Sequence, residues 1–565
     1  MTAGFGSASL GSYRTAVEKV LTELYNHRIV TRIRDKDYTV WKDSPVEITN
    51  RLGWLESPRA MMAAVNHINN VVDEVRGDDY THALLLGMGG SSLAPEVFRT
   101  TFGVRDGYLD LTVLDSTDPG TILAHKERLD PAKTLFIVST KSGGTVETFS
   151  LLKYFYNHVR ETLGESKAGR HFIAITDPGS ALADLATAHQ FRATFLNDPS
   201  IGGRYSAISY FGLVPAALIG MDIEIILSRA AVTADQEFAC NKPDIDTLNG
   251  ASIGVVLGEM ARAGRDKATF IISPRIASFG DWLEQLIAES TGKEGKGILP
   301  VVGELLGNTD VYGSDRLFIL LHLDGDDVDN GRIAALEKSG HPVVRIDLHD
   351  CYDLGGQCFL WEMATVVTGH LLGINPFDQP DVEASKVLTR KMIAGYREKG
   401  KLPVNEPALT GKGIDVYGNI RAESPAAALA AFIRLGGPNA YIAIQAYVQC
   451  TSETDAALFL LRQRLRDQYR LAATVGYGPR FLHSTGQLHK GDGGRGLFIQ
   501  LTADDLRDAP IPDEMDNNES SMTFSLLKAA QALGDQQALI NAGRHVIRFH
   551  LGTDVAAGLE VLTGL

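Results

Sequence analysis

The chain has 565 residues, enough for about three or four domains at roughly 100–200 residues each. Hydrophobic residues make up 44% and charged residues 22%, the balance of a folded chain and not of a disordered one. Lys plus Arg is 54 against 69 for Asp plus Glu, a formal net charge of −15. That excess of acid argues against coating nucleic acid or lying on an anionic membrane. A small anionic substrate stays open, because local dipoles outweigh a global field.

Four cysteines occur, Cys240, Cys351, Cys358 and Cys450. No C-x-x-C pair exists, so neither a zinc knuckle nor a thioredoxin-like pair is expected. Cys351 and Cys358 read as small buried apolar residues in a reducing compartment. Residues 1–13 are small and polar and carry no signal-peptide pattern. No window reaches ~18 uninterrupted apolar residues, so no transmembrane helix is expected. The expectation is a soluble, cytoplasmic protein.

The first eighty residues predict helices. Val17, Val20, Leu21 and Leu24 repeat near the 3.6 period, and Met62, Val65, Ile68 and Val72 do so again. From 81 to about 220 the texture becomes a βα alternation. Apolar runs at 83–87 (ALLLG), 111–114 (LTVL), 135–139 (LFIVS) and 172–176 (FIAIT) suit parallel strands buried on both faces. A second alternation, from about 251, has candidate strands at 268–273, 316–323 and 342–346, then a helix over 356–372. The segment 403–424 is rich in Gly, Pro and Asn and reads as a linker. A third α/β unit follows, with strands at 440–448 and 497–501 and helices at 455–469 and 524–533. The acidic stretch 508–521 reads as a loose surface loop. The fold class expected is α/β, two doubly wound domains with mostly parallel sheets and a C-terminal α/β extension.

Five segments carry candidate chemistry. Gly87-Met88-Gly89-Gly90-Ser91-Ser92 follows a strand and opens a helix, where exposed N–H groups stabilise an anion. Its spacing is not that of a dinucleotide-binding turn, so NAD is disfavoured. Ser139-Thr140-Lys141-Ser142-Gly143-Gly144-Thr145-Val146-Glu147-Thr148 brings hydroxyls and glycines to another helix start, a composition suited to phosphate oxygens. Its Lys precedes the glycines, so it is not a Walker A loop. Gly202-Gly203-Arg204 presents an Arg from a Gly-Gly turn. On the helix through 282–291, Gln285 and Glu289 share a face at i and i+4. Glu289 sits in its last turn, where the helix dipole disfavours a negative charge and raises the pKa, as a proton-abstracting base needs. In 375–386 (NPFDQPDVEASK), Asp381 is placed to cap a helix from which Lys386 points inward.

In this order, over roughly residues 50–390, the segments resemble the glucose-6-phosphate isomerase (phosphoglucose isomerase) family. The pairing of E-S-x-G-K at 289–293 with N-P-F-D-Q-P-x-V-E-x-x-K at 375–386 is highly specific. Segments 37–42, 47–55 and 478–490 look like the isomerase half of the fused transaldolase–glucose-6-phosphate isomerases. The resemblance implies two sugar-isomerase (SIS-type) domains with the site between them. The implied division is a helical segment 1–80, domains at 81–225 and 226–400, and an extension at 401–565. It implies that Gly90 and Ser91 lie near the sugar, and that Thr140, Lys141, Ser142 and Thr145 hold the phosphate. Gln285 and Gln379 bind substrate, Glu289 is the base, Arg204 stabilises the enediolate, and Lys386 takes part in ring opening. A homodimer is implied too.

One departure stands out. The family opens the sugar ring with a His, often from the neighbouring subunit. Here Tyr312 stands in the corresponding T-D-V-Y-G segment, and His483 or His489 could substitute for the missing group.

Moving one hydrogen between C1 and C2 of an open-chain sugar needs one carboxylate that takes it from one carbon and returns it to the other through a cis-enediol(ate). That chemistry needs no cofactor or metal, and H-x-x-E and H-x-H spacings are absent from the matched segments. The expected activity is interconversion of glucose 6-phosphate and fructose 6-phosphate. The rivals are an isomerase of another anionic hexose, sulfonated or mannose-type, and a non-catalytic phosphosugar sensor.

Overall fold

Three sheets organise the chain. The structure is a computed structural model that describes residues 6–240, 244–403 and 406–564. The first sheet is all parallel, in the order Asp110–Leu114, His82–Gly87, Thr134–Ser139, Phe172–Thr176, Ala193–Leu196. Its strands send alternate residues into different cores. Leu85, Ile137 and Ile173 face one cluster, while Leu84, Leu86, Phe136 and Val138 face another. This is why the runs are continuously apolar: both faces are covered by helices. Chain order reverses between His82–Gly87 and Thr134–Ser139. The crevice at such a switch point, beyond the strand C-termini, is where open α/β sheets bind ligands. The G-x-G-G-S turn and the hydroxyl loop follow those two strands.

The second sheet has the order Gly6–Ser9, Val343–Leu348, Arg316–Leu323, Lys267–Ile272, Leu299–Val301. Only the edge strand Gly6–Ser9 is antiparallel. That strand lies in the small, polar N-terminal stretch, where no apolar run announces it; residues 1–5 of the stretch lie outside the described residues. A Cβ at Gly6 would collide with Leu248 and with the carbonyl of Arg345, so only glycine permits this pairing. The helix Asp353–Leu372 is buried along nearly its whole length. It packs between the helices Ile223–Ala239 and Gly250–Arg262, which accounts for its lack of a polar face. The N-terminal helix Arg14–Asn26 buries Val17, Leu21 and Leu24 in the same core. The second helical pattern is broken into the helix Ser57–Ala60, a 3₁₀ turn and the helix Val65–Gly77.

The third sheet runs Leu409–Gly411, Ile414–Tyr417, His545–His550, Gly496–Thr502, Tyr441–Tyr447, Ala472–Tyr477. Segment 403–424 is therefore not a plain linker. It contains a β-hairpin whose Ile414 and Val416 are buried in the core of this sheet; Val404 and Asn405 lie outside the described residues. Gly413, at φ +77°, makes the tight turn that composition alone presents as loose. The stretch 508–521 is anchored too. Ala509 and Ile511 are buried, Pro510–Ile511 pairs with Met522–Thr523, and Asn157 donates to the Asn517 carbonyl at 2.7 Å. Strands Ala193–Leu196, Leu299–Val301, Ala472–Tyr477 and His545–His550 escape the sequence reading. They are short, or they alternate with polar residues as Arg548 and His550 do. No helix among the described residues is long and apolar enough to cross a membrane.

Candidate active site

The five segments converge on one cleft of about 670 Å³. Its lining includes Gly90, Ser91, Thr140, Lys141, Ser142, Thr145, Arg204, Gln285, Glu289, Gln379, Lys386 and His483. Close backbone approach builds it. A Cβ at Gly90 would strike the Gly203 carbonyl, so the G-G-S turn can rest against the G-G-R turn only as glycine. Ser139 Oγ donates to the Ser91 carbonyl at 2.9 Å, which joins the first turn to the hydroxyl loop. Thr140 and Thr145 hydroxyls meet at 3.1 Å, and Ser142 Oγ accepts the Gly144 N–H at 3.3 Å. Lys141 Nζ is held by Asp177 and by the Pro199 carbonyl.

Arg204 is almost fully buried, at 4% exposure, and its guanidinium is spoken for on every side. Nε donates to Ser290 Oγ at 2.8 Å. Nη2 donates to the carbonyls of Pro376 (2.8 Å) and Asp378 (3.0 Å), and Nη1 to Gln379 Oε1 at 3.0 Å. Nη1 also stands 3.3 Å from Glu289 Oε1. A buried cation this fully bonded is fixed before any ligand arrives. The Glu289 carboxylate therefore faces a guanidinium as well as the end of its helix, Phe279–Thr291. The helix dipole is only one part of its field. Gln285 Nε2 donates to Glu289 Oε2 at 3.2 Å and to the His483 carbonyl at 2.7 Å. Gln285 Oε1 is buried and finds no hydrogen-bond partner among the described residues. Lys293, one turn on, is buried and donates to the Asp378 carboxylate at 2.9 Å. Burial first, and then Arg204, pull its pKa down to about 8.

His483 comes from the 3₁₀ turn Arg480–His483 in the third α/β unit. Its Nε2 lies 3.1 Å from Glu147 Oε1. Glu147 opens the helix Val146–Leu163 behind the hydroxyl loop, and it also accepts from Gln531 Nε2 at 2.6 Å. Gln531 is oriented in turn by Thr117 Oγ1 at 2.9 Å. Burial is the largest single influence on Glu147 and would raise its pKa, but His483, a backbone N–H and the Lys386 charge together hold the carboxyl low. An ionised acceptor at Oε1 places the proton of a neutral His483 on Nε2 and leaves Nδ1 to exchange protons. Arg480 secures this turn through Asp115 at 3.2 Å and Asp281 at 3.5 Å.

Several expectations are corrected. Tyr312 does not line the cleft. It is buried against Phe318, with Arg316 and Arg466 over its ring, and its hydroxyl accepts the Gly307 N–H at 2.7 Å. Burial pushes its pKa up, away from the range of a useful acid. His489 is also outside the cleft. It packs on Phe498 with centroids 5.0 Å apart, and burial drives its pKa well down, so it is neutral. Lys386 does not point inward. It stands at the rim, 52% exposed, with Nζ 3.7 Å from Glu383. Asp381 makes no side-chain cap. Gln487 does that work instead: its Oε1 accepts the N–H groups of Asp381 (2.9 Å) and Val382 (3.3 Å), while its Nε2 donates to the Gly292 carbonyl at 2.9 Å. Gln487 thereby ties the end of the Glu289 helix to the start of the Lys386 helix. Motif reading contains Gln487, Glu147 and Ser290 within its segments but gives them no role, because each acts across long chain separations. It also misses the lining residues Asn50, Arg51 and Asp177. No group of three or more His, Cys, Asp or Glu side chains suited to a metal occurs among the described residues.

Residues 59–308 match the family model for phosphoglucose isomerase. The glucose-6-phosphate isomerase of Rubrobacter xylanophilus is 27% identical over 438 residues, 67% of this chain and 97% of that one. A glucose-6-phosphate isomerase of Thermus thermophilus is 29% identical over 359 residues, 55% of this chain and 83% of that one. Among solved structures, a hypothetical protein from Thermus thermophilus superposes with a TM-score of 0.60 at 24% identity, over 69% of this chain and 100% of its own. A glucose-6-phosphate isomerase from Chlamydia trachomatis superposes with a TM-score of 0.56 at 18% identity, over 68% of this chain and 86% of its own. These two share the fold. By the match over 59–308 and by its named relatives, the chain is similar to the phosphoglucose isomerases.

Proposed function

We propose that this cleft interconverts glucose 6-phosphate and fructose 6-phosphate through a cis-enediol(ate), with Glu289 as the base. The observation that carries the reading is the Glu289–Arg204 pair at 3.3 Å, inside a cleft that the hydroxyl loop also lines. A carboxylate beside a fixed guanidinium suits the reaction. Glu289 removes the hydrogen from C2 of the open-chain aldose and returns it to C1. Arg204 faces the oxygen on which negative charge develops, and such a preorganised charge is typically worth ~3–4 kcal/mol of barrier. Thr140, Lys141, Ser142 and Thr145 hold the phosphate, whose binding energy orients the reacting carbons. Gly90, Ser91, Gln285 and Gln379 position the sugar.

Ring opening falls to His483, with Lys386 at the rim as its partner. Glu147 fixes the tautomer, so Nδ1 of His483 takes and returns the hydroxyl proton of the closed ring. In this reading the helical segment 1–80 supports domains 81–225 and 226–400, and extension 401–565 completes the site through His483. A homodimer in the cytoplasm is part of the proposal. The cleft as described draws on one chain. The test is a coupled assay with purified protein and both hexose phosphates. Turnover in both directions is expected; inertness toward both sinks the reading.

A further inference from the structure

The segment Glu47-Ile48-Thr49-Asn50-Arg51-Leu52-Gly53 has no role in the scheme so far, yet Asn50 and Arg51 line the cleft. Backbone pairing places them there. Gly53 N–H donates to the Ser200 carbonyl at 3.0 Å, and Leu52 bridges Ile201. The segment therefore runs beside the turn that carries Arg204. A Cβ on Gly202 would sit 3.8 Å from Arg51 Cδ, so the Arg51 stem crosses the start of that turn.

The head group lies near the hydroxyl loop. Asp177, which holds the Lys141 ammonium, lies within electrostatic reach of Arg51 as well. Lys141 also donates to the Pro199 carbonyl, next to the Ser200 that anchors the Arg51 segment. Two cations thus flank one end of the cleft, and each is parked on an acid: Lys141 on Asp177, and Arg51 on Glu47 at 2.7 Å. Arg51 also donates to the Asn50 carbonyl at 2.9 Å. These bonds use two of the five N–H groups that a guanidinium carries. The side chain is 20% exposed, on the cleft side of a partner that is itself 40% exposed. An exposed partner of this kind holds a cation weakly. A phosphate dianion offers a stronger, bidentate match.

We infer that Arg51 is a second cationic contact for the anionic tail of the substrate, that it leaves Glu47 when the tail binds, and that it makes the site prefer a dianionic phosphate to a monoanionic sulfonate or sulfate ester. The inference rests on the isomerase reading for the identity of the tail, and on the cleft geometry alone for the anion.

Two measurements test it and keep the two readings apart. The first is calorimetric titration of the wild type with inorganic phosphate and with methyl sulfate, a monoanion, which needs no turnover. Phosphate binds more tightly, and its advantage falls as the pH drops through about 7, where the inorganic dianion takes up a proton, about one unit above a phosphate ester. Arg51→Met weakens phosphate binding about tenfold or more, the scale of one charge-assisted hydrogen bond. It weakens methyl sulfate binding less, and Arg51→Lys recovers part of the loss. Glu47→Gln frees the guanidinium and tightens phosphate binding, a gain that a purely structural Arg51–Glu47 pair would not give. The second measurement is the coupled assay. Arg51→Met raises KM for fructose 6-phosphate by a similar factor at little cost in kcat. Unchanged phosphate affinity in Arg51→Met, or weaker binding in Glu47→Gln, overturns the role of Arg51. An inert wild type that still shows the Arg51-dependent phosphate preference overturns only the isomerase reading.

Discussion

His483 and Glu147 are 336 positions apart in the chain and 3.1 Å apart in space. The first belongs to a turn of the third α/β unit and the second to the first turn of a helix on the first sheet. Their contact makes the C-terminal unit part of the candidate site and not an appendage. It also brings a histidine to the cleft, which this chain's T-D-V-Y-G segment, with its buried Tyr312, does not.

If that histidine opens the sugar ring, its loss should be selective. His483→Gln is expected to lower kcat/KM for ring-closed glucose 6-phosphate about a hundredfold, the ordinary scale of one acid–base group. An open-chain analogue should be turned over almost as before. Glu147→Gln should act in the same direction, with a smaller effect and a shifted pH profile. Equal losses on closed and open substrates would move His483 out of ring opening.

Glu289→Gln keeps the shape of the side chain and removes its basicity. The variant should fold normally, as judged by circular dichroism, and lose isomerase activity by about a thousandfold or more. Exchange of the C2 hydrogen with solvent deuterium should stop as well. Near-normal turnover of fructose 6-phosphate would remove Glu289 from the role of base.

Tyr312→Phe separates a core tyrosine from a catalytic one. Activity should stay within about twofold. Stability should fall, because the Gly307 N–H loses its acceptor, and such an orphan costs about 1–3 kcal/mol. Denaturant unfolding and the coupled assay together decide it. A large loss confined to the ring-closed substrate would hand the ring-opening role back to Tyr312.

Glu237 gives a pH dependence with a definite sign. Its carboxylate accepts the N–H groups of Gly250 (2.7 Å) and Ala251 (3.0 Å) at the start of the helix Gly250–Arg262. Burial outweighs those bonds and pushes its pKa up to about 7 from 4.5. Between those values the folded protein binds more protons than the unfolded chain, so this group's contribution is full below about 4.5 and is lost as the pH rises through 7. The change is on the order of 3 kcal/mol. Glu237→Gln should flatten the stability profile across that interval when unfolding is followed at about pH 5 and about pH 7. An unchanged profile would show that the group titrates normally.

The two glycine- and hydroxyl-rich loops of the cleft are legible in the sequence because each is local. A strand, a turn of glycines and hydroxyls and a helix start follow one another without a break, and the physics of an exposed helix N-terminus needs nothing further. The Gln285–Glu289 pair is legible for the same reason, since i and i+4 share a face. Buried parallel strands announce themselves by unbroken apolar runs. Strands without such a run do not: the edge strand Ala193–Leu196 is only 4 residues long, and the interior strand His545–His550 interleaves polar residues with its buried Ile547 and Phe549.

The sequence by itself therefore determined the two glycine- and hydroxyl-rich turns, the carboxylate beside its glutamine and the α/β class, all consequences of backbone geometry within a few residues. Only the tertiary structure decided which distant side chains complete the cleft. It brought in His483, Glu147 and Gln487, removed Tyr312 and His489, moved Lys386 to the rim, and set Arg51 beside the hydroxyl loop. The physical reason is that periodicity records which face of an element is buried. The partner it is buried against is fixed by packing between elements that lie hundreds of residues apart.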